Sequence, residues 1–224
     1  MATKKPLDPA LDLTLKPGTL EKIPGNIRLA KFLMPIEDFF FITGRGTVVI
    51  GQVERGTVKV GDTVACIGFG KTAEYIVTLI STEAGQVDKA KKGDKASLLL
   101  RGASNKNIVR GMVVATPNSV AENTEFDADI TAIRKKVPEL IPHLEDLKPA
   151  KKVELTFYIR TAVVTGTMTL IKALSHTTTK LTASVHVKLA KSVALEKGLS
   201  FTVRSSNLQT ASGTVTRVGK LIKG

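Results

Sequence analysis

Along residues 31–119 apolar positions come in short runs, each cut off by a glycine pair or an acidic turn. Phe39 to Ile42 is one run. Thr47 to Val53 is another, rich in β-branched Thr47, Val48, Val49, Ile50 and Val53. Thr57 to Val60 stops at Gly61-Asp62, and Thr63 to Ile67 stops at Gly68. Tyr75 to Ile80 and Ala96 to Leu100 alternate, and Met112 to Ala115 ends before Pro117. Short strands at even spacing, with no amphipathic helix of ordinary length between them, predict a small antiparallel barrel or sandwich.

The pattern resumes after a connector at Ser119 to Asn123. Phe126 to Ile133 alternates, and Lys152 to Arg160 does so again. Between them, Pro138, Pro142 and Pro149 exclude a long helix from residues 134–152. Val163 and Val164 lead to a predicted turn at Thr165-Gly166, followed by Met168 to Ile171. Residues 172–180 read as an exposed loop. Strands are then expected at Leu181 to Leu189, Leu199 to Arg204 and Thr214 to Val218. The first 30 residues hold four prolines and a weak alternation at Leu11, Leu13 and Leu15. The predicted organisation is an arm or linker over 1–30, one β-barrel over 31–119 and a second over 120–224. The fold class is all-β.

Composition adds three points. Hydrophobic residues make up 42% of 224, enough for a buried core without a disulfide or a metal. The single cysteine, Cys66, stands in the apolar run Val64 to Ile67 and reads as a small buried hydrophobe. One cysteine allows no intrachain disulfide, which fits a reducing compartment. No apolar run reaches the length of a membrane helix. No long apolar stretch follows Lys4 and Lys5, so the start does not read as a secretory signal. The expected location is the cytoplasm or an organellar matrix, away from membranes.

Charge changes the picture more. Lys and Arg number 33 against 20 Asp and Glu, a formal charge of +13. Such an excess attracts polyanions, and RNA is the expected partner. Four Arg-Gly pairs close apolar runs: Arg45-Gly46, Arg55-Gly56, Arg101-Gly102 and Arg110-Gly111. Glycine there supplies a positive φ or a tight reversal. The neighbouring arginine carries a five-donor fork toward solvent, and the candidate RNA contacts are Arg45, Arg55, Arg101, Arg110 and Lys95. Eight Phe, two Tyr and no Trp give too few rings to stack many successive bases. The run Phe39-Phe40-Phe41 must point rings to both faces of a strand, so one ring is expected to be exposed or pocket-lining.

Enzyme chemistry finds no foothold. Gly70-Lys71-Thr72 supplies only the end of a P-loop, with Ala65 where its first glycine belongs and strand-like runs on both sides. Asn105-Lys106-Asn107 reads as a turn. His143, His176 and His186 lie far apart with no local cysteine partner. Adjacent acids such as Glu37-Asp38 and Glu145-Asp146 face opposite sides of a strand. No catalytic residue, cofactor or metal site is expected.

One stretch goes beyond pattern. Residues 33–61 read Leu-Met-Pro-Ile-Glu-Asp-Phe-Phe-Phe-Ile-Thr-Gly-Arg-Gly-Thr-Val-Val-Ile-Gly-Gln-Val-Glu-Arg-Gly-Thr-Val-Lys-Val-Gly. With Gly93-Asp94, Leu98 to Gly102 and Ile108 to Pro117, they closely resemble the second domain of bacterial or organellar-type translation elongation factor Tu. Phe157 to Thr161 with Val164-Thr165-Gly166, and Phe201 to Arg204 with Gly213 and Val215, resemble its third domain in eroded form. The resemblance implies domains two and three alone, because the 30 residues before residue 31 match nothing of a GTPase domain.

The family's second domain binds the aminoacylated end of tRNA. The matching positions are Glu37, Asp38, Phe40, Ile50, Asp94 and Arg101. The family has Thr and Arg where this chain has Ile50 and Gln52, and Asn where it has Lys95. These departures, with the added positive charge, imply looser attraction to phosphate in place of shape-specific contacts. The expected function is non-catalytic RNA binding, to tRNA or rRNA, with the ribosome or a separate translation protein as a further partner. The alternatives are a protein-binding scaffold that reuses an old interdomain surface, or an isolated or engineered fragment of the factor.

Overall fold

The computed structural model describes residues 30–104, 106–133, 153–176, 180–205 and 208–219. The chain is all-β: every regular element among the described residues is a strand. The arm over 1–29, the stretch 134–152 and His143 lie outside the described residues.

The first unit holds ten strands: β1 (Leu33–Pro35), β2 (Asp38–Ile42), β3 (Gly46–Gln52), β4 (Thr57–Lys59), β5 (Thr63–Gly68), β6 (Lys71–Thr82), β7 (Gly85–Val87), β8 (Lys89–Lys91), β9 (Lys95–Arg101) and β10 (Val113–Ala115). Its main sheet runs β1-β10-β5-β6-β9-β3-β2, with β7 added beside β6 and β4-β8 forming a separate ribbon. The sheet curls, because the inner faces of its two ends meet in one core. Met34 from β1, Val49 from β3, Cys66 from β5 and Val114 from β10 all belong to that cluster. Cys66 is fully buried there, and burial pushes its thiol up to about 12.

The second unit is a closed barrel, β11-β14-β13-β12-β15-β16. Its strands are β11 (Ala121–Ile133), β12 (Val153–Ile159), β13 (Ala162–His176), β14 (Lys180–Leu195), β15 (Ser200–Ser205) and β16 (Leu208–Val218). Alternation is kept closely on β11: Phe126, Ala128, Ile130 and Ala132 point into the core. Phe126, Phe157 and Phe201 meet there, with Phe126 edge-on to Phe201 at 5.3 Å between ring centroids. Such pairs add to the stabilisation from buried area.

Four sequence expectations give way. No turn forms at Thr165-Gly166; both lie inside β13. The reversal is Arg160-Thr161, with Ile159 opposite Ala162 and Arg160 at φ 53°. Gly166 is needed for a close approach instead: a Cβ there would sit 2.7 Å from the Lys188 carbonyl oxygen on β14. Residues 172–180 are not simply a loop, because β13 runs on to His176 and β14 starts at Lys180, with two bulges absorbing the misfit. The connector at Ser119 to Asn123 is half strand, since Ala121 to Asn123 pair with Leu195 to Val193. Finally, β1, β7 and β8 are strands that the sequence pattern does not predict, because β1 ends in a proline and Gly85 to Val87 and Lys89 to Lys91 hold one apolar side chain each.

The two units are joined through side chains. Leu33, Ala65, Ile67, Val113 and Ala115 lie on the outer face of the first sheet and are buried against Ala194 of β14. Phe69, in the β5–β6 turn at φ 57°, packs against the cores of both units. Its amide donates to the Ser192 carbonyl at 2.8 Å.

Candidate nucleic-acid interface

All four Arg-Gly glycines adopt positive φ: 122° at Gly46, 72° at Gly56, 74° at Gly102 and 97° at Gly111. Their arginines separate into different surroundings. Arg45 closes the β2–β3 turn, its amide donating to the Ile42 carbonyl at 3.0 Å. Arg101 ends β9 directly opposite Gly46 on β3. That register brings two arginines far apart in the chain onto one rim. Gly46 makes it possible, because a Cβ at this position would lie 2.2 Å from the Leu100 carbonyl oxygen.

Arg45 and Arg101 line an open depression of about 440 Å³ together with Phe41, Gly44, Gly102 and Ser104. Phe41 is 48% exposed. Both arginines are exposed, and among the described residues neither has a carboxylate partner. Two uncompensated planar cations beside an open ring suit a phosphodiester with its base: forked hydrogen bonds to phosphate oxygens and stacking on the ring.

The other candidates stand elsewhere. Arg110 is exposed in the turn before β10. Arg55 faces the second unit, its Nη2 2.9 Å from Glu196 Oε2. Its Nε and Nη2 are buried with no aligned acceptor, so this is a charge contact rather than a formed hydrogen bond. Lys95 lies opposite Gln52 at the far end of β9 from Arg101. The length of that strand separates the two, roughly 20 Å.

The positions matching the aminoacyl-end pocket are gathered in part. Asp38 lies directly opposite Ile50, and Phe40 opposite Val48, on the outer face of β2 and β3. The Glu37 amide donates to the Ile50 carbonyl at 2.8 Å. Phe40 is 50% exposed. Asp94 sits apart at the turn before β9, where its carboxylate accepts the Lys91 amide at 2.9 Å.

Residues 46–115 match the family model described as Elongation factor Tu domain 2. The first unit is therefore like that translation-factor domain over its β3–β10 portion. The match takes in Ile50, Arg55, Asp94, Lys95, Arg101 and Arg110. Glu37, Asp38, Phe40 and Arg45 lie ahead of it.

Sequence reasoning missed the polar groups that organise the second unit and the seam. Glu125, Asp127 and Asp129 alternate along β11 opposite Lys188, His186 and Ser184. Asp127 accepts Arg217 Nε at 2.7 Å and lies 2.7 Å from His186 Nδ1. The alternation of acids with apolar residues was the available signal for an outer polar face, but their partners were not readable. Arg160, the anchor of the seam, carried no signal beyond its place between two alternating runs.

Proposed function

We propose that this protein is a non-catalytic RNA-binding protein of translation, derived from elongation factor Tu of bacterial or organellar type. In this reading the second unit descends from the factor's third domain. The chain contacts tRNA or rRNA phosphates, with the ribosome or a separate translation protein as a further partner in the cytoplasm or an organellar matrix. The observation that carries the proposal is the convergence of unpaired Arg45 and Arg101 beside exposed Phe41, on a unit matching a translation-factor domain. The changes at Ile50, Gln52 and Lys95 count against recognition of an aminoacyl group, and the formal charge of +13 favours attraction to phosphate.

Filter binding across a salt series tests this. Wild-type affinity for RNA is expected to fall steeply with salt. Arg45→Ala with Arg101→Ala should make the log–log slope shallower by about 1.4, at ~0.7 for each single-strand phosphate that is no longer neutralised. An affinity indifferent to salt, or a double variant identical to wild type, would refute the reading.

A second reading has an observation of its own. Phe40, Phe41 and Ile76 are 50%, 48% and 45% exposed on one unit. Exposed aromatic side chains are enriched where proteins meet other proteins, which suits a protein-binding scaffold. Pull-down from RNase-treated lysate separates the two: a partner retained without RNA, but not retained by Phe40→Ser with Phe41→Ser, favours the scaffold.

A further inference from the structure

The ribbon formed by β4 and β8 holds an unfavourable arrangement of charge. Val58 and Ala90 face inward and are buried in the core of the first unit. Alternation then turns Lys59, Lys89 and Lys91 outward, and all three are exposed. Lys59 lies directly opposite Lys89. Like charges at directly opposed positions destabilise a strand pair.

The nearby acids do not relieve this. The Asp62 carboxylate accepts the Lys59 backbone amide at 2.8 Å, and the Asp94 carboxylate accepts the Lys91 amide at 2.9 Å. The Asp88 carbonyl accepts the Val60 amide at 2.9 Å. Among the described residues none of these carboxylates forms an ion pair with a ribbon lysine. Two of the acids thus brace the turns, and among the described residues the ammonium groups make no contact ion pair with them. Lys92, also exposed, continues the run, its amide fixed to the Gly56 carbonyl at 3.1 Å.

We infer that this ribbon is a second polyanion-docking surface, which holds the phosphate backbone of RNA through Lys59, Lys89 and Lys91 without reading sequence. Mobile point charges on a rigid two-stranded platform suit phosphate attraction rather than base recognition. The surface is separate from the Arg45–Arg101 depression and uses neither arginine. Among the described residues beside it, Val60 is the strongly exposed large apolar side chain, at 44%. A lone valine is poor support for insertion into a lipid surface, so the ribbon commits to RNA.

The test compares the whole chain with two variants, Lys59→Gln/Lys89→Gln/Lys91→Gln and Arg45→Ala/Arg101→Ala, on poly(U) RNA over a salt series. The lysine variant is expected to take about 2 from the log–log slope, ~0.7 per phosphate, and the same three positions changed to Arg should restore it. It should melt no lower than wild type, because a like-charge pair has been removed. A slope unchanged by the lysine variant but reduced by the arginine variant overturns the ribbon and leaves the proposed function standing. Wild-type protein that does not bind RNA overturns both. If the lysine variant loses binding to phosphatidylserine vesicles while its RNA slope is unchanged, the ribbon's partner is a membrane and the inference fails.

Discussion

Arg160 of the closed barrel grips Glu54 of the first unit with two hydrogen bonds, Nε to Oε2 at 2.7 Å and Nη2 to Oε1 at 3.2 Å. The same guanidinium donates to Glu196 at 2.5 Å and to the Ala194 carbonyl at 2.9 Å. Its side chain is 5% exposed, while that of Glu54 is 37% exposed. The buried partner therefore sets the cost of breaking the contact, and solvent softens the Glu54 side of it.

Arg160→Gly is expected to lower stability by about 2–3 kcal/mol, the range for removing charged hydrogen bonds at a part-buried site. Glycine also relieves the strain of the positive φ at which Arg160 sits, so Arg160→Ala, which keeps that strain, is measured beside it and should lose at least as much. Urea unfolding followed by two probes, one in each unit, reads the outcome. Coincident curves in wild type should separate in the variant as the units uncouple. Curves that remain coincident with an unchanged midpoint would mean that Arg160 does not couple the units.

Phe69 couples the same units through packing. Removing its ring empties a site shared by two cores, and Phe69→Ala is expected to cost roughly 2–4 kcal/mol. Phe69→Gly should cost less than Phe69→Ala, because φ 57° suits glycine. Thermal melts of the two variants side by side decide this. An alanine variant at least as stable as the glycine variant would show that the turn relaxes away from its left-handed geometry.

The strands of the first unit were legible because its longer runs alternate or are β-branched and stop at a glycine, an acidic residue or a proline. The buried state of Cys66 was legible for the same reason. The seam was not. Arg160 and Glu54 are 106 positions apart, and nothing local marks either as one half of a pair. The rim arginines show the same limit: their Arg-Gly context was readable, yet only the β3–β9 register separates converging Arg45 and Arg101 from Arg55, which turns toward Glu196. Gly166 misled in a specific way. A glycine after threonine reads as a turn, but here it admits a neighbouring strand.

On the outer face of the barrel, Asp127 bridges β11, β14 and β16 through His186 and Arg217. Asp127→Ala should cost about 2–3 kcal/mol, since it strands a guanidinium whose Nε and Nη2 both lie within 2.7 Å of one carboxylate oxygen. A double-mutant cycle with Arg217→Ala measures the coupling. A value of at least ~1 kcal/mol is expected, and near-zero coupling would mean that solvent replaces the contact at no cost.

Cys66 fixes the behaviour at high pH. Its thiol is buried, and desolvation raises its pKa from 9.0 to about 12. With the folded-state value above the unfolded one, ionisation favours the unfolded chain. Below pH 9 both states hold the proton, and the contribution to stability is constant. As pH rises from 9 toward 12 the unfolded thiol ionises first, and stability falls by ~1.4 kcal/mol per pH unit until the folded thiol ionises too. Cys66→Ala removes the titrating group, so its stability should decline less steeply over that window, whatever the small cavity costs at neutral pH. Parallel urea titrations of the two proteins measure the difference in slope. The same burial predicts a native thiol that resists iodoacetamide at pH 8 and reacts once denatured. Rapid labelling of the folded protein, or identical pH slopes for wild type and variant, would place the sulfur in contact with water and contradict the packing of β5 against the core.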